Sequence, residues 1–324
     1  MEIELKIALG PGDEARLRRH PALARYRTAP RRKASLLSIY FDTPDHALSA
    51  KGIALRLRKV GRSWVQTVKA GRTAGGAGLF AQQEFECPAP GGRLALGGTD
   101  PDGIFAAIAT AANGAALSPV FETRIQRVIE DLRTEDGSVI ELALDTGEVV
   151  AGDASAPLSE LELELKSGSV GALYDFAAVL FPRGPVRFAT ANKAALGYRL
   201  ARGEVPQPLG PRKAGSYDHD ADATLETVAR DTFRDCFAQI ATNLVVVAET
   251  DAIEGPHQLR VGLRRLRTAI AVFGNSLGSV ATTELSATAR DLGRTVGRLR
   301  DIDVLIDEVV SEAADLGLDA EARA

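Results

Sequence analysis

The sequence predicts an α+β protein in which N-terminal antiparallel strands are followed by an all-α helical bundle. Polar and apolar residues alternate with a period of two up to about residue 203, as in strands with one buried face. Proline and glycine concentrate in residues 204–216, a composition typical of a linker. Beyond this segment the apolar residues recur with a helical period of 3.6.

The alternation delimits seven predicted strands, which are residues 1–9, 53–60, 64–70, 82–87, 121–131, 139–145 and 159–166. Short helices are expected between them near residues 13–25, 102–112 and 169–181. The glycine-rich segment Gly71–Gly78 lacks the Gly-Lys-Ser/Thr ending of a phosphate-binding loop, so it is interpreted as a hairpin connection.

Three long amphipathic helices are predicted in the C-terminal region, over residues 221–250, from Pro256 to about residue 274, and over residues 282–313. Short connections between such helices favour an antiparallel bundle. The predicted organisation is therefore a first domain over residues 1–203, a linker over 204–216 and a helical domain over 217–324.

Composition places the chain among ordinary globular proteins. Of its 324 residues, 45% are hydrophobic and 25% are charged, and the net charge is −4, which excludes disordered, collagen-like and disulfide-rich classes. The two cysteines, Cys87 and Cys236, lack metal-binding spacing. No apolar run approaches the roughly 20 residues of a membrane span. We therefore expect a soluble, unprocessed cytoplasmic protein with no membrane partner.

Charged residues are aligned along single strand faces in an unusual way. Glu2, Glu4 and Lys6 share one face, and the same pattern recurs at 160–166 and at 141–145. Other strands carry basic residues, namely Arg56, Arg58, Lys69 and Arg127. Any one such face can be the wet side of a sheet, but like charges at every second residue repel unless they are compensated.

If the sheet closes into a barrel with these charges inside, the interior would bind a divalent cation together with a polyanion. Carboxylates select Mg²⁺ or Mn²⁺ along with substrate phosphate oxygens, and arginines and lysines neutralise the remaining phosphate charge. Phosphoryl transfer depends mainly on such positioning and electrostatics.

The opening Glu2-x-Glu4-x-Lys6 resembles the signature of the CYTH superfamily, the triphosphate tunnel metalloenzymes. The similarity continues in order through IYFDTPD at 39–45, GIALRLR at 52–58, TVKAGR at 67–72, FETRIQR at 121–127, IELALDTGEVVAG at 140–152, SELELELKSG at 159–168 and NKAALGYRL at 192–200. It covers the first domain and looks most like the bacterial inorganic triphosphatase branch.

This resemblance implies an eight-stranded antiparallel tunnel and assigns roles to its inward residues. The implied metal ligands are Glu2, Glu4, Asp145, Glu160, Glu162 and Glu164. The implied triphosphate ligands are Lys6, Arg56, Arg58, Lys69, Arg127 and Lys193. The implied catalytic residues are Lys6, Glu84 and Glu141, of which Glu84 and Glu141 are expected to orient the basic groups. Strand parity favours Arg127 over Arg124.

The second predicted helix carries His257, Arg260, Arg264 and Arg267 on one stripe, with Arg265 beside it. The third carries Arg290, Arg294 and Arg298 at intervals of four. Ordered basic rows indicate a polyanion-binding surface, for which nucleic acid is the generic ligand.

The stretches HQLRVGLRRLRTAIAVFG at 257–274 and LGRTVGRLRDIDVL at 292–305 resemble the CHAD domain, of which three helices form only part. In that family the basic face is associated with inorganic polyphosphate, and no nucleic-acid partner is expected. The implied polyphosphate ligands are His257, Arg260, Arg264, Arg265, Arg294 and Arg298.

The main expectation is a triphosphatase dependent on Mg²⁺ or Mn²⁺ that hydrolyses inorganic triphosphate to pyrophosphate and phosphate. Thiamine triphosphatase and adenylate cyclase activities remain alternatives, as does a polyphosphate-binding protein without turnover. The sequence leaves the oligomeric state open.

Overall fold

A computed structural model describes residues 2–71, 77–97, 103–183, 186–204, 209–274 and 279–315, with side chains of the last helix described at residues 282–299 and 302. The chain divides into two compact units. The first comprises Met1–Arg183 and Arg187–Pro206, and the second comprises Gly184–Val186 and Gln207–Ala324. Most of the predicted Gly71–Gly78 connection lies outside the described residues.

The first unit is a closed antiparallel barrel, which confirms the expected eight-stranded tunnel. Its strands are β1 (Glu2–Ala8), β2 (Arg32–Asp42), β3 (Ala54–Val60), β4 (Ser63–Ala70), β5 (Leu79–Pro88), β6 (Ser118–Arg133), β7 (Val139–Ala151) and β8 (Ala154–Ser167). The order around the barrel is β1-β5-β4-β3-β2-β6-β7-β8, and β8 pairs with β1 to close it.

Strand β2 is missing from the seven strands predicted by alternation. Its inward residues Leu36 and Tyr40 belong to an apolar cluster, while Phe41 on its other face packs against a second apolar cluster beneath two helices. A strand that is apolar on both faces shows no period of two. The two-sided burial therefore concealed β2 in the sequence.

In the described part of the first unit, six α-helices accompany the strands, namely α1 (Asp13–Arg18), α2 (Pro21–Tyr26), α3 (Ala47–Ala50), α4 (Ile104–Ala112), α5 (Gly171–Leu180) and α6 (Lys193–Ala201). The helical stretch expected near 13–25 comprises two short helices. His20 has an extended backbone, as favoured for a residue before proline, and Pro21 then begins α2.

Helices cover part of the outer face of the barrel, and the aligned charges of the strands lie on the inner face. Helices α3 and α4 bury Leu55 and Val68 of the outer face, and α5 packs against β1 and β8, where Leu5 and Leu161 are fully buried. The apolar residues at these outer positions are thus removed from water by helices. The charged residues that alternate with them face the tunnel.

Helix α6 enters the region where the inward positions become apolar. Tyr198 of α6 joins inward residues of four strands in one apolar cluster, which contains Leu36, Tyr40, Phe121, Ile125, Val149 and Leu158. Gly197 allows this close approach, because an added Cβ would lie 2.1 Å from the Phe121 ring. Asn192 caps the helix by accepting a hydrogen bond from the Ala195 amide at 2.9 Å.

The second unit contains α7 (Leu225–Glu249), α8 (Glu254–Phe273) and α9 (Ser279–Asp315). Helix α8 packs against both α7 and α9, and the shared core includes Cys236, Ile240, Leu259, Leu263, Leu266, Ala289 and Val296. Helix α8 begins before Pro256 rather than after it, since the first turn of a helix needs no amide donor. Among the described residues, no helix combines the length and hydropathy needed to cross a membrane.

The segment before α7 has no regular secondary structure but is hydrogen bonded to that helix. The fully buried Asp235 accepts hydrogen bonds from Arg212 at 2.8 Å, from the Gly215 amide at 3.0 Å and from Arg265 at 2.7 Å. Asn243 bonds to both the amide and the carbonyl of Arg212. The second half of the predicted linker is therefore attached to the helical unit.

We predict that Gly197→Ala lowers the free energy of unfolding of the barrel by about 1–3 kcal/mol, the usual cost of overpacking. The new methyl group would collide with Phe121, although alanine is the better helix former. Gly293→Ala is the matched control, because nothing lies within 4 Å of a Cβ at that helical position. Chemical denaturation measures both, and equal stability of the Gly197→Ala variant would contradict the close packing.

Candidate functional site

The tunnel contains a polar cavity of about 270 Å³. Its wall and floor carry nine carboxylates, Glu2, Glu4, Glu84, Glu86, Glu141, Asp145, Glu160, Glu162 and Glu164, and seven cations, Lys6, Arg56, Arg58, Lys69, Arg127, Lys166 and Lys193. Among the described residues of this cavity, the carboxylates thus outnumber the cations by two. An interior with this balance favours a divalent cation over an anion alone.

One side of the cavity is a compact cluster of paired charges around Glu162. Lys193 contacts Asp145 and Glu162 at 2.8 Å each and also bonds to Glu160. Arg127 binds Asp145 through two hydrogen bonds of 2.7 and 2.6 Å and reaches Glu162 at 2.5 Å. Lys6 bonds to Glu162 and lies 3.0 Å from Glu4.

These contacts favour the ionised forms of Lys6 and Glu162, whereas burial raises the pKa of Glu160. Burial opposes the charge of Lys6, but Glu162 and Glu4 raise the pKa of Lys6 well above its ordinary value. Burial likewise opposes the charge of Glu162, but Lys193 and Lys6 hold the pKa of Glu162 well below its ordinary value. Lys6 is therefore positioned as a fixed positive charge rather than as a base.

Carboxylates also meet directly across three neighbouring strands. The register pairs Glu141 of β7 with Glu164 of β8, and Glu164 with Glu4 of β1. Burial raises the pKa of Glu164, and the charges of Glu2 and Glu141 add to this increase against the nearby Lys166. Like charges placed opposite one another are destabilising without a cation between them.

The donor set fits a hard divalent cation. Carboxylate oxygens of Asp145, Glu160 and Glu162 lie within 4.8 Å of one another, and the row of Glu4, Glu141 and Glu164 stands beside them. Oxygen ligands of this kind suit Mg²⁺ and Mn²⁺ and do not suit soft metals. The tunnel therefore contains an acidic cluster able to hold a metal ion.

The opposite wall is basic and less compensated. Glu84 lies 3.5 Å from both Arg56 and Lys69. Arg58 donates to the Ser38 hydroxyl at 3.1 Å and has no carboxylate partner among the residues that the structure describes. Burial, followed by the charges of Arg56 and Arg127, lowers the pKa of Arg58 to about 10.

All fourteen tunnel residues singled out from the sequence lie on this cavity or in its charged cluster. Glu141 lies near the rim, where it contacts Arg32 at 3.2 Å, so its partner is a residue that the sequence did not suggest. Arg124 is 58% exposed on the outer face and pairs with Glu122 and Glu148. The parity argument that preferred Arg127 over Arg124 agrees with these positions.

Several site residues were missed from the sequence. Tyr40 lines the cavity, and its ring stacks on Phe121 with centroids 4.3 Å apart. Burial opposes ionisation of the Tyr40 hydroxyl, but Arg56 and Arg58 lower its pKa. Ser38 lies on the same strand face. Both residues belong to β2, so recognition of that strand would have found them by parity with the lumen.

The helical unit contains a separate basic groove of about 950 Å³ between α8 and α9. Its lining includes His257, Arg260, Arg264, Arg267, Arg290, Arg294 and Arg298. Arg264, Arg267 and Arg290 have no carboxylate partner among the side chains that the structure describes. Five of the six residues expected to bind polyphosphate meet in this groove.

Arg265 is the sixth, and it lies elsewhere. Its guanidinium donates to Asp235 and to Gln239 at 2.7 Å each, in the network that holds the segment before α7. One residue along a helix turns a side chain by about 100°, which separates Arg265 from the stripe of Arg264. Arg267 and Arg290, which were not among the six expected ligands, line the groove.

Comparison with known proteins gives matches in both units. A CYTH domain model matches residues 1–198, and a CHAD domain model matches residues 231–324. An inorganic triphosphatase of Haemophilus influenzae is 32% identical over 204 residues, which are 61% of this chain and 54% of that protein. The chain therefore spans about half the length of this curated relative.

Two solved structures are also similar to part of the chain. One is a Hippeastrum protein named as a candidate adenylyl cyclase with a dominant triphosphatase activity, at 18% identity and a TM-score of 0.43, covering 64% of this chain and 98% of that one. The other is a candidate adenylate cyclase of Bacillus halodurans, at 19% identity and a TM-score of 0.39, covering 60% and 96%.

The CYTH match extends over more than half of the chain and coincides with the closed eight-stranded barrel. The charged residues that carried the resemblance in the sequence line the interior of that barrel. The chain belongs to the CYTH domain family.

Proposed function

We propose that the tunnel hydrolyses inorganic triphosphate to pyrophosphate and phosphate with the help of Mg²⁺ or Mn²⁺. The observation that carries this proposal is the position of Arg58, a tunnel cation beside Arg56 with no carboxylate partner among the described residues. A guanidinium crowded by like charges gains stability when an anion binds. The facing carboxylates supply the complementary metal ligands.

The chain's own residues would divide the work between two walls. Arg56, Arg58 and Lys69 would bind the phosphate oxygens, and Glu84 would keep two of these cations oriented. Lys6, Arg127 and Lys193 would provide fixed positive charge beside the acidic cluster. In hydrolysis, water forms one new P–O bond, one bridging P–O bond breaks, and the proton of the water is released to solvent or to a product phosphate.

The metal would be held by Glu2, Glu4, Asp145, Glu160, Glu162 and Glu164. When bound, such a metal polarises a phosphoryl group and neutralises charge that develops in phosphoryl transfer. The excess of carboxylates over cations in the tunnel supports a requirement for a bound metal ion.

The size of the cavity supports an inorganic substrate. Its volume of about 270 Å³ is at the lower limit of the roughly 300–1,000 Å³ of pockets for drug-sized organic ligands. Thiamine triphosphatase and adenylate cyclase activities each require room for an organic moiety. Tyr40 and Phe121 stack on each other, and Tyr198 contacts the edge of Phe121. The rings of this aromatic pair therefore already pack against other aromatic side chains of the protein.

A polyphosphate-binding protein without turnover is the alternative from another functional class. The row of Glu4, Glu164 and Glu141 argues against it, because opposing carboxylates weaken the binding of a bare polyanion. For the helical unit we infer binding of inorganic polyphosphate, supported by arginines from two helices that line one groove.

The enzymatic proposal is tested by phosphate release from inorganic triphosphate, ATP and thiamine triphosphate, each with Mg²⁺, Mn²⁺ or excess chelator. We expect chelator-sensitive release from inorganic triphosphate. Glu4→Gln should lower kcat by about 100-fold or more through loss of a metal ligand. Glu148→Gln on the outer face is the matched control and should retain activity. Undiminished turnover by the Glu4→Gln variant would contradict the metal site.

The pKa of Arg58 predicts an alkaline limit for substrate binding. Arg58 is charged below about pH 10 and loses its proton above it, and bound triphosphate favours the protonated form. The KM for triphosphate should therefore rise as the pH passes about 10. Steady-state kinetics from pH 8 to 11 measure this rise, and circular dichroism checks that the fold persists. Arg58→Ala should have a high KM throughout with no inflection near pH 10, and a retained inflection would assign it to another group.

For the helical groove, we predict that Arg264→Ala weakens polyphosphate binding roughly tenfold, the loss of one charge-assisted contact. Triphosphate turnover should be unchanged in this variant. Arg230→Ala on α7 is the matched control, since Arg230 is exposed and pairs with Glu226 outside the groove. Equal weakening by both variants would indicate general charge attraction rather than a groove.

A further inference from the structure

Ser38 lies on the inner face of β2, beside the basic wall of the tunnel. It is 1% exposed, and its hydroxyl oxygen accepts a hydrogen bond from Nε of Arg58 at 3.1 Å. The strand register places Ser38 directly opposite Arg58 of β3 on one side and opposite Thr123 of β6 on the other. Arg58 therefore has a neutral hydroxyl, rather than a carboxylate, as its cross-strand partner on β2.

This partner distinguishes Arg58 from the other cations of the tunnel. Each of the others has a carboxylate within 3.5 Å, namely Glu162 for Lys6, Arg127 and Lys193, Glu84 for Arg56 and Lys69, and Glu164 for Lys166. Arg127 shows the cross-strand form of this pairing, because Asp145 opposite it accepts two hydrogen bonds at 2.7 and 2.6 Å. Opposite Arg58, β2 provides a hydroxyl instead.

A hydroxyl partner affects an arginine differently from a carboxylate partner. The guanidinium carries its N–H donors in a rigid plane, so one bond through Nε fixes the orientation of that plane and leaves the Nη donors for a ligand. Because serine is uncharged, it does not compensate the positive charge, whereas a carboxylate would. Holding the long side chain in place also lowers the entropic cost of ordering it when a ligand binds.

We propose that Ser38 is a positioning residue for triphosphate binding, whose hydroxyl orients the guanidinium of Arg58 toward the cavity without neutralising its charge. This inference rests on the proposed function of the tunnel. Arg58 lines the cavity, whereas Ser38 lies behind that lining, so Ser38 acts through Arg58 and not on the substrate itself. Loss of the hydroxyl should therefore weaken binding and leave the chemical step unchanged.

A role of Ser38 in packing alone makes the opposite prediction. Alanine occupies nearly the same space as serine, so it would preserve the packing beside Thr123 but remove the acceptor of the Arg58 hydrogen bond. Threonine keeps the hydroxyl, and its branched side chain suits a β-strand. These two substitutions at residue 38 therefore separate the hydrogen bond from the shape of the side chain.

The test measures kcat and KM for inorganic triphosphate in the full chain, and the Kd of triphosphate by calorimetry in excess chelator. Ser38→Ala should raise KM and Kd about three- to tenfold, the scale of one hydrogen bond, with little change in kcat. Ser38→Thr should restore most of the affinity. Ser35→Ala is the matched control and should leave KM unchanged, because Ser35 accepts its hydrogen bond from Gln126 at 3.0 Å on the outer face of the same strand.

Two further variants connect the effect to Arg58. Ser38→Asp places a carboxylate opposite this arginine and should raise KM by about tenfold or more, because the charge of Arg58 is then compensated. In an Arg58→Ala background, Ser38→Ala should have no further effect, since the interaction between the two residues is already lost. Circular dichroism checks that each variant folds, and the alanine cycle decides the matter if the aspartate variant does not.

The outcomes separate this inference from the proposed function. Turnover of triphosphate by the unaltered chain, with KM and Kd unchanged in Ser38→Ala, would overturn the role of Ser38 and leave the proposed function intact. An equal effect of Ser38→Ala with and without Arg58 would also overturn it. Absence of both turnover and triphosphate binding in the unaltered chain would overturn the proposed function and this inference together.

Discussion

Compensation of charge inside a closed barrel is the constraint on which the first unit depends. Helices cover part of the outer face of the strands, and the charged residues of the inner face open onto the tunnel. Buried charges are tolerated only when they are paired and hydrogen bonded. Lys6, Arg127 and Lys193 meet this requirement by sharing Glu162. The result is a cluster of buried charges in which each of these three cations has a carboxylate partner.

The apolar part of the interior complements this charged part. Helix α6 contributes Lys193 at its first turn to the acidic cluster and Tyr198, more than one turn later, to the apolar cluster. Its position is fixed by the contact of Gly197 with Phe121 and by the Asn192 cap. Asp42 holds the loop before α3 against that helix, because its carboxylate accepts amide hydrogen bonds from Thr43, Leu48 and Ser49. Burial and the charge of Asp42 raise the pKa of Tyr198.

The sequence allowed prediction of those features that depend on local periodicity. Alternation located seven strands and oriented Arg127 toward the charges, and the helical period located α7, α8 and α9. Periodicity could not reveal β2, where both faces are apolar, or the residues of β2 that enter the site. It also could not separate Arg265 from Arg264, because the partner of Arg265 is Asp235, thirty residues away. Contacts between distant segments leave no periodic trace in a sequence.

The segment that precedes α7 determines where the helical unit can be excised without loss of its hydrogen bonds. Asp235 is fully buried, and two of its hydrogen bonds come from Arg212 and Gly215, outside residues 231–324. A unit excised at residue 231 would keep Arg265 and lose both of these donors. The smallest portable module therefore begins near residue 209, so a recombination point that preserves it lies on the N-terminal side of this segment rather than at the first turn of the helix.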